Sequence, residues 1–324
     1  MKRFVVVAVV LVCLTALLIS CGQTVLDWER TPVEGIDFDL YHIQVSSGTE
    51  DGAFKTETVE PTGYYSEEQV ESAEVETIQL GKRNYKVTLQ KIIRRGQDSE
   101  ERVFEDESGT IECRLLSLKQ SFRIRAKTGF LSAFDEQTVL SEETLKDHAL
   151  RFLSDYIELS FIENYDYSCT TRDAVHTPNA AWGETRDEFF IPPTDNPSDE
   201  TIEIVYYSMT YSLYCGSYRT NDYVTITFDP KGNIRELLVC FTGVDWNSVR
   251  LPNEDMLQKK AIGAIKASLN SNYRYEDSEL VSQRITYAED GKIFITCSYS
   301  VKISRDGNHD YSTLCAVRIT FDKE

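Results

Sequence analysis

Residues 141–157, SEETLKDHALRFLSDYI, and residues 253–269, NEDMLQKKAIGAIKASL, align without a gap. Ser141 meets Asn253, and both types cap helix N-termini because a side-chain oxygen accepts a backbone N–H of the first turn. Glu142 and Glu143 meet Glu254 and Asp255, acids at the positive end of a helix. Leu145, Ala149 and Leu153 meet Leu257, Ala261 and Ile265, the i, i+4, i+8 stripe of one buried face. Leu140 stands before the first cap, where it can staple onto Leu145; Pro252 takes that place in the second copy. The spacing predicts two amphipathic helices of one design.

What flanks them repeats as well. VTITFDPKGNIREL, 224–237, reads as a hairpin. Val224, Ile226 and Phe228 alternate inward, Asp229 and Pro230 suit a type I turn, and Gly232 supplies the left-handed residue that closes it. FRIRAKTGFLSAF, 122–134, has the same form one residue shorter, and VRITFD, 317–322, repeats the first half. After the second helix, strands are expected at about 279–288, 291–304 and 310–322, with turns at Asp290-Gly291 and Asp306-Gly307. Upstream, 76–94 and 110–127 read as strands, 41–60 holds at most one short strand, and 96–109 is an acidic loop or frayed hairpin. Residues 170–200, with three prolines in IPPTDNPSDE, read as a surface loop.

The expected fold class is therefore α+β: tandem helix-plus-antiparallel-sheet units preceded by a mostly β N-terminal region. The boundaries are 1–20 signal peptide, 21–40 tether, 41–135 mostly β region, 136–245 first helix-plus-meander unit and 246–324 second unit. The capped helices with Thr128-Gly129 and Lys231-Gly232 hairpins resemble the PepSY and cystatin-like class of small α+β modules, over about half the chain. The resemblance implies binding, inhibition or regulation, and offers no family active-site residue to carry over.

The first 21 residues speak to location. Lys2 and Arg3 precede FVVVAVVLVCLTALLI, 4–19. That apolar run is short for a membrane span, which needs roughly 20 residues, and has the layout of an export signal. Leu18, Ile19, Ser20 and Cys21 resemble the lipobox of bacterial lipoprotein signal peptides. The resemblance implies cleavage after Ser20 and a diacylglyceryl group on the Cys21 thiol. Each buried CH₂ contributes about 0.8 kcal/mol, so two or three acyl chains make a lasting anchor where one does not.

Composition narrows the partners. The chain has 324 residues, 34 basic and 53 acidic, a net charge of −19. Such a surface repels phosphate backbones, which argues against nucleic acid as a partner. At 41% hydrophobic, the chain can build real cores. Six cysteines follow Cys21: Cys113, Cys169, Cys215, Cys240, Cys297 and Cys315. An even number in an exported chain fits disulfides, yet Cys297 and Cys315 fall in phase with inward strand positions, where free cysteine acts as a small apolar residue. A bridge, if one forms, pairs Cys297 with Cys315 across the last hairpin.

No hydrolase, nucleotide or zinc-protease motif occurs, and no C-x-x-C. His148 is expected on the solvent face of the first helix, His309 beside a turn, and His42 and His176 have no partner in sequence. Asp306, Asn308 and Asp310 alternate as in a calcium loop, but Tyr311 and Val317 stand where that loop needs Gly and Glu. No catalytic residue, metal or cofactor is assigned.

The surface candidate is IEIVYYSMTYSLYCGSY, 202–218. Val205, Tyr207, Met209, Tyr211, Leu213 and Cys215 share the core face. Tyr206, Ser208, Thr210, Ser212 and Tyr214 share the other, which offers two aromatic rings flanking small hydroxyls. At about 3.3 Å per residue, Tyr206 and Tyr214 lie roughly 26 Å apart, so one partner touching both is extended. The expectation is a membrane-anchored extracytoplasmic binding or regulatory module for an envelope protein or peptide. A hydrolase with sequence-dispersed residues and a glycan or solute receptor are the alternatives.

Overall fold

Both capped segments are helical: α1 spans Glu142–Leu153 and α2 spans Glu254–Ser268. Ser141 Oγ accepts the Thr144 N–H at 3.2 Å, and Thr144 Oγ1 accepts the Ser141 N–H at 2.9 Å, so the cap is reciprocal. Asn253 Oδ1 accepts the Met256 N–H at 3.1 Å. Leu145, Ala149 and Leu153 are buried on α1, and Leu257, Ala261 and Ile265 on α2. The computed structural model describes residues 28–33, 36–47, 53–55, 65–70, 74–95, 99–117, 120–176, 201–288, 292–305 and 309–323. Cys21, the Asp290-Gly291 and Asp306-Gly307 turns and most of the proline-rich loop lie outside them.

The strands are β1 Ile36–Ser47, β2 Tyr65–Gln69, β3 Val75–Leu80, β4 Arg83–Arg95, β5 Ser99–Asp106, β6 Ile111–Leu115 and β7 Phe122–Ala126. After α1 come β8 Asp166–His176, β9 Thr201–Cys215, β10 Tyr218–Phe228 and β11 Ile234–Cys240; after α2 come β12 Tyr273–Tyr287, β13 Ile293–Arg305 and β14 His309–Lys323. All belong to one 14-stranded sheet, ordered β1-β14-β13-β12-β10-β11-β7-β6-β5-β4-β2, with β3 also on β4 and β8 on β9 beside β10.

This corrects the α+β expectation. The fold is mostly β, one mixed sheet with two α-helices among the described residues, and it does not divide into tandem helix-plus-sheet units. The reason is pairing between distant segments. β7, from before α1, hydrogen-bonds to β11, from after it, with Ile124 opposite Leu237. β1 closes the far edge on β14, with Ile43 opposite Ile319. Side chains follow. One core cluster joins Ile78, Val87 and Phe104 to α1 and to Val224, Leu237 and Val239. A second gathers α2 with Ile285, Ile295, Val317, Phe54 and Tyr218. β10 contributes to both, so the division between cores falls within a strand.

Local differences have local causes. Residues 76–94 are two strands, because Gly81 turns the chain with φ +59°; a Cβ there would lie 2.1 Å from Tyr156 O. The Lys82 N–H donates to that same carbonyl at 2.8 Å, which docks the turn below α1. Residues 99–106 pair with β4 as β5, with one register shift on the β4 side between Leu89 and Lys91, and Thr170–His176 belong to β8. The expected tether is partly structured: Thr31 exchanges backbone hydrogen bonds of 2.8 Å with Gly243 and Asp245, and β1 begins at Ile36. The Asp229 turn forms as the residues suggest, its Oδ1 accepting the Lys231 and Asn233 N–H groups at 2.9 Å each.

His148 is buried, 7% exposed, instead of facing solvent. Its ring lies 5.5 Å from that of Phe134 and 6.4 Å from that of Phe228, because the hairpin side of α1 is covered as well as its Leu-Ala-Leu stripe. Burial holds its pKa below the ordinary 6.5; a hydrogen bond to the Ser132 backbone opposes this and Arg151 adds to it. As pH falls the unfolded chain takes up this proton first. The stability tied to neutral His148 is therefore present above about pH 6.5 and is lost as pH drops through that value. His148→Leu is expected to flatten the fall of the urea midpoint between about pH 7 and pH 5. A slope equal to that of the wild type would show that His148 is not its source.

The Cys297–Cys315 bridge is not formed. All six described cysteines are free, five of them buried. Register explains it: Cys297 faces Val317 and Cys315 faces Tyr299, so the two are diagonal neighbours. Diagonal partners stand roughly 7–8 Å apart, beyond ordinary disulfide reach.

Candidate functional site

β9 keeps the alternation read from its sequence. Met209, Tyr211 and Cys215 are buried, while Tyr206, Ser208 and Thr210 are half-buried on the other side and Tyr214 is 41% exposed. Ser212 departs from that outer set: it is buried, between Asp166 of β8 and Tyr223 of β10. β9 is flanked on both sides, by β8 and β10, so its main chain is already paired. Only its outer side chains can meet a partner. They sit in a field of hydroxyls: Ser168 and Thr170 face Thr210 and Ser208 on one side, and Thr225 and Thr227 face them on the other. Thr210 Oγ1 and Thr225 Oγ1 are 3.1 Å apart, a cross-strand hydrogen bond.

At its Tyr214 end this face runs into an irregular part of β10. Arg219 faces Tyr214 and Tyr223 faces Ser212, so four residues of β10 span what two cover on β9. The extra residues form a bulge, which re-aims side chains. Thr220 is buried and its Oγ1 donates to Leu213 O at 2.8 Å. Asp222 is 0% exposed. Its Oδ1 accepts from Thr242 N and Oγ1, both at 2.7 Å, and its Oδ2 meets Arg30 Nη1 at 2.5 Å. Arg30 also donates to Tyr165 Oη at 2.8 Å and Val244 O at 2.9 Å. Its guanidinium lies over the rings of Phe161 and Phe241, 5.5 and 5.1 Å from their centres. The N-terminal segment is thus latched beneath the bulge.

The bulge also marks where β10 changes neighbours. From Tyr223 to Phe228 it pairs antiparallel with β11; at Arg219 it meets Arg284 of β12 in a parallel bridge. Asn221 fills the gap with its side chain, Nδ2 donating to Tyr287 O at 3.2 Å and Oδ1 accepting the Tyr287 N–H at 3.4 Å. Between the diverging ends of β11 and β12 lies a crevice of about 310 Å³, lined by Arg219, Thr220, Asn221, Tyr223, Cys240, Arg284 and Thr286. Arg219 lies 5.5 Å from the centre of the Tyr223 ring. Burial, with Cys240 alongside, pushes the Tyr223 phenol up, so it stays a donor. Burial pushes the Cys240 thiol to about 11, so it is no thiolate nucleophile at neutral pH.

The other expected residues do not converge here. His42 is exposed on β1, His176 ends β8 and His309 begins β14. Asp310 is in β14, whereas Asp306 and Asn308 lie outside the described residues. Among the described residues no three His, Cys, Asp or Glu side chains are grouped to hold a metal ion. Arg219 and Arg284 carried no sequence signal. They are far apart in the chain, and only the β10–β12 bridge makes them neighbours. Comparison with protein-family models, with curated proteins and with solved structures finds no significant match to this chain.

Proposed function

We propose that this chain is a lipid-anchored extracytoplasmic binding module that holds an extended segment of an envelope protein across the outer face of β9. One observation carries the reading. Tyr206, Ser208, Thr210 and Tyr214 line the outer side of a strand that is internal to the sheet, and the line ends at a crevice. An internal strand offers a stiff platform, and aromatic rings beside adaptable hydroxyls suit recognition more than chemistry. The lipobox-like Leu18-Ile19-Ser20-Cys21 would tether this platform to a bacterial membrane.

Capture of a partner from envelope extracts tests the face. Tyr206→Ala/Tyr214→Ala is expected to reduce recovery at least tenfold, with the unfolding free energy within about 0.5 kcal/mol of wild type because surface changes cost little. Recovery equal to wild type would remove this face from the account. Turnover of an envelope substrate by the chain, lost on replacing one histidine, would favour a hydrolase instead. The anchor has its own check. Cells fed radiolabelled palmitate should label the wild-type chain and not Cys21→Ala, and an unlabelled wild type would refute lipidation.

A further inference from the structure

Three arginines stand in one row across the sheet. Tyr214 faces Arg219, Arg219 faces Arg284, Arg284 faces Thr296, and Thr296 faces Arg318. Their chain neighbours Tyr218, Ile285, Ile295 and Val317 are buried in the second core, so the row lies on the outer side. Like charges directly across a strand pair are destabilising. Several cations elsewhere in the sheet region are neutralised: Arg123 meets Glu236 at 2.7 Å, Arg114 meets Glu112 at 2.8 Å and Lys127, just past β7, meets Glu105 at 2.6 Å. Arg219 and Arg284 meet no carboxylate among the described residues, in a chain with 53 acids to 34 bases.

We propose that Arg219 and Arg284 form a seat for a phosphate or pyrophosphate group in the crevice where β10 changes partner. A bound oxyanion turns their mutual repulsion into two charge-assisted contacts. Guanidinium groups suit it, since each presents a planar fork of N–H donors. The crevice, about 310 Å³, has room for such a group. The Tyr223 phenol and Thr286 hydroxyl line it and can donate. Asn221 is committed to Tyr287 and serves as the wall that keeps the strands apart. Arg318, 3.7 Å over the Phe294 ring, is held on the same face and adds to the field. The seat stands whether or not the β9 face holds a protein. The phosphate can belong to a soluble anion or to a lipid headgroup.

Calorimetric titration of the full chain with sodium pyrophosphate, at ionic strength matched with chloride, tests the seat. Saturable binding is expected, with Arg219→Gln and Arg284→Gln each weakening it at least tenfold. Without the anion, both variants should unfold at the wild-type midpoint or above it, because repulsion is relieved. Sedimentation with phosphatidylcholine vesicles, with and without phosphatidylglycerol, separates the sources. Retention on the anionic vesicles that pyrophosphate displaces, and that Arg219→Gln/Arg284→Gln loses, assigns a headgroup. Pyrophosphate binding without such retention assigns a soluble anion. Absence of both, or binding undiminished in the double variant, overturns the proposal.

Discussion

Arg30→Ala is expected to destabilise the chain by about 3–5 kcal/mol, the cost of leaving a buried charge without its partner. Asp222 has no access to solvent, and among the described residues Arg30 is the cation that pairs with it. The two Thr242 hydrogen bonds to Asp222 Oδ1 remain in the variant but supply no charge. Arg30 also closes Tyr165 and Val244, so the loss reaches the 3-10 turn at Leu159–Ile162 and the loop after β11. Chemical denaturation followed by circular dichroism measures it. The charge-free pair Arg30→Met/Asp222→Leu should lose less than Arg30→Ala alone, since apolar replacement removes the desolvation cost along with the attraction. Equal stability of Arg30→Ala and wild type would mean that the latch holds nothing.

The second large effect lies in the helix stripes. Leu153→Asp and Ile265→Asp should each cost more than about 4 kcal/mol, because each forces an unpaired carboxylate into an apolar core. Both positions are fully buried, Leu153 in the core that spans α1 and β3–β11 and Ile265 in the core under α2. β10 contributes side chains to both cores, so either substitution should lower the midpoint of the whole chain. Unchanged midpoints for both variants would refute the packing described.

The parts of this fold that a short window determines were legible. Caps at Ser141 and Asn253, the two stripes and the Asp229–Gly232 turn each depend on residues within a turn or two of one another, and each formed as read. Inward phasing of Cys297 and Cys315 was legible for the same reason. Pairing was not. Nothing in FRIRA announces that it will lie beside IRELLVC, nor anything in 36–47 that it will close on β14, so a continuous sheet read as separate units. The Cys297–Cys315 pairing failed on register, which a period of two cannot fix. Arg30 looked like part of a tether because its partner is 192 residues away. At the site, the β9 face came from alternation alone; the arginine pair needed the crossover at β10, a tertiary fact.

Site-specific photocrosslinking in intact cells tests most directly whether the β9 face is where this protein meets its partner. A benzophenone side chain placed at Thr210, at the centre of the face, should yield a discrete crosslinked product on irradiation. The same group at Val139, 82% exposed before α1 and remote in sequence from β9, should yield none. A product from Val139 and none from Thr210 would contradict the account.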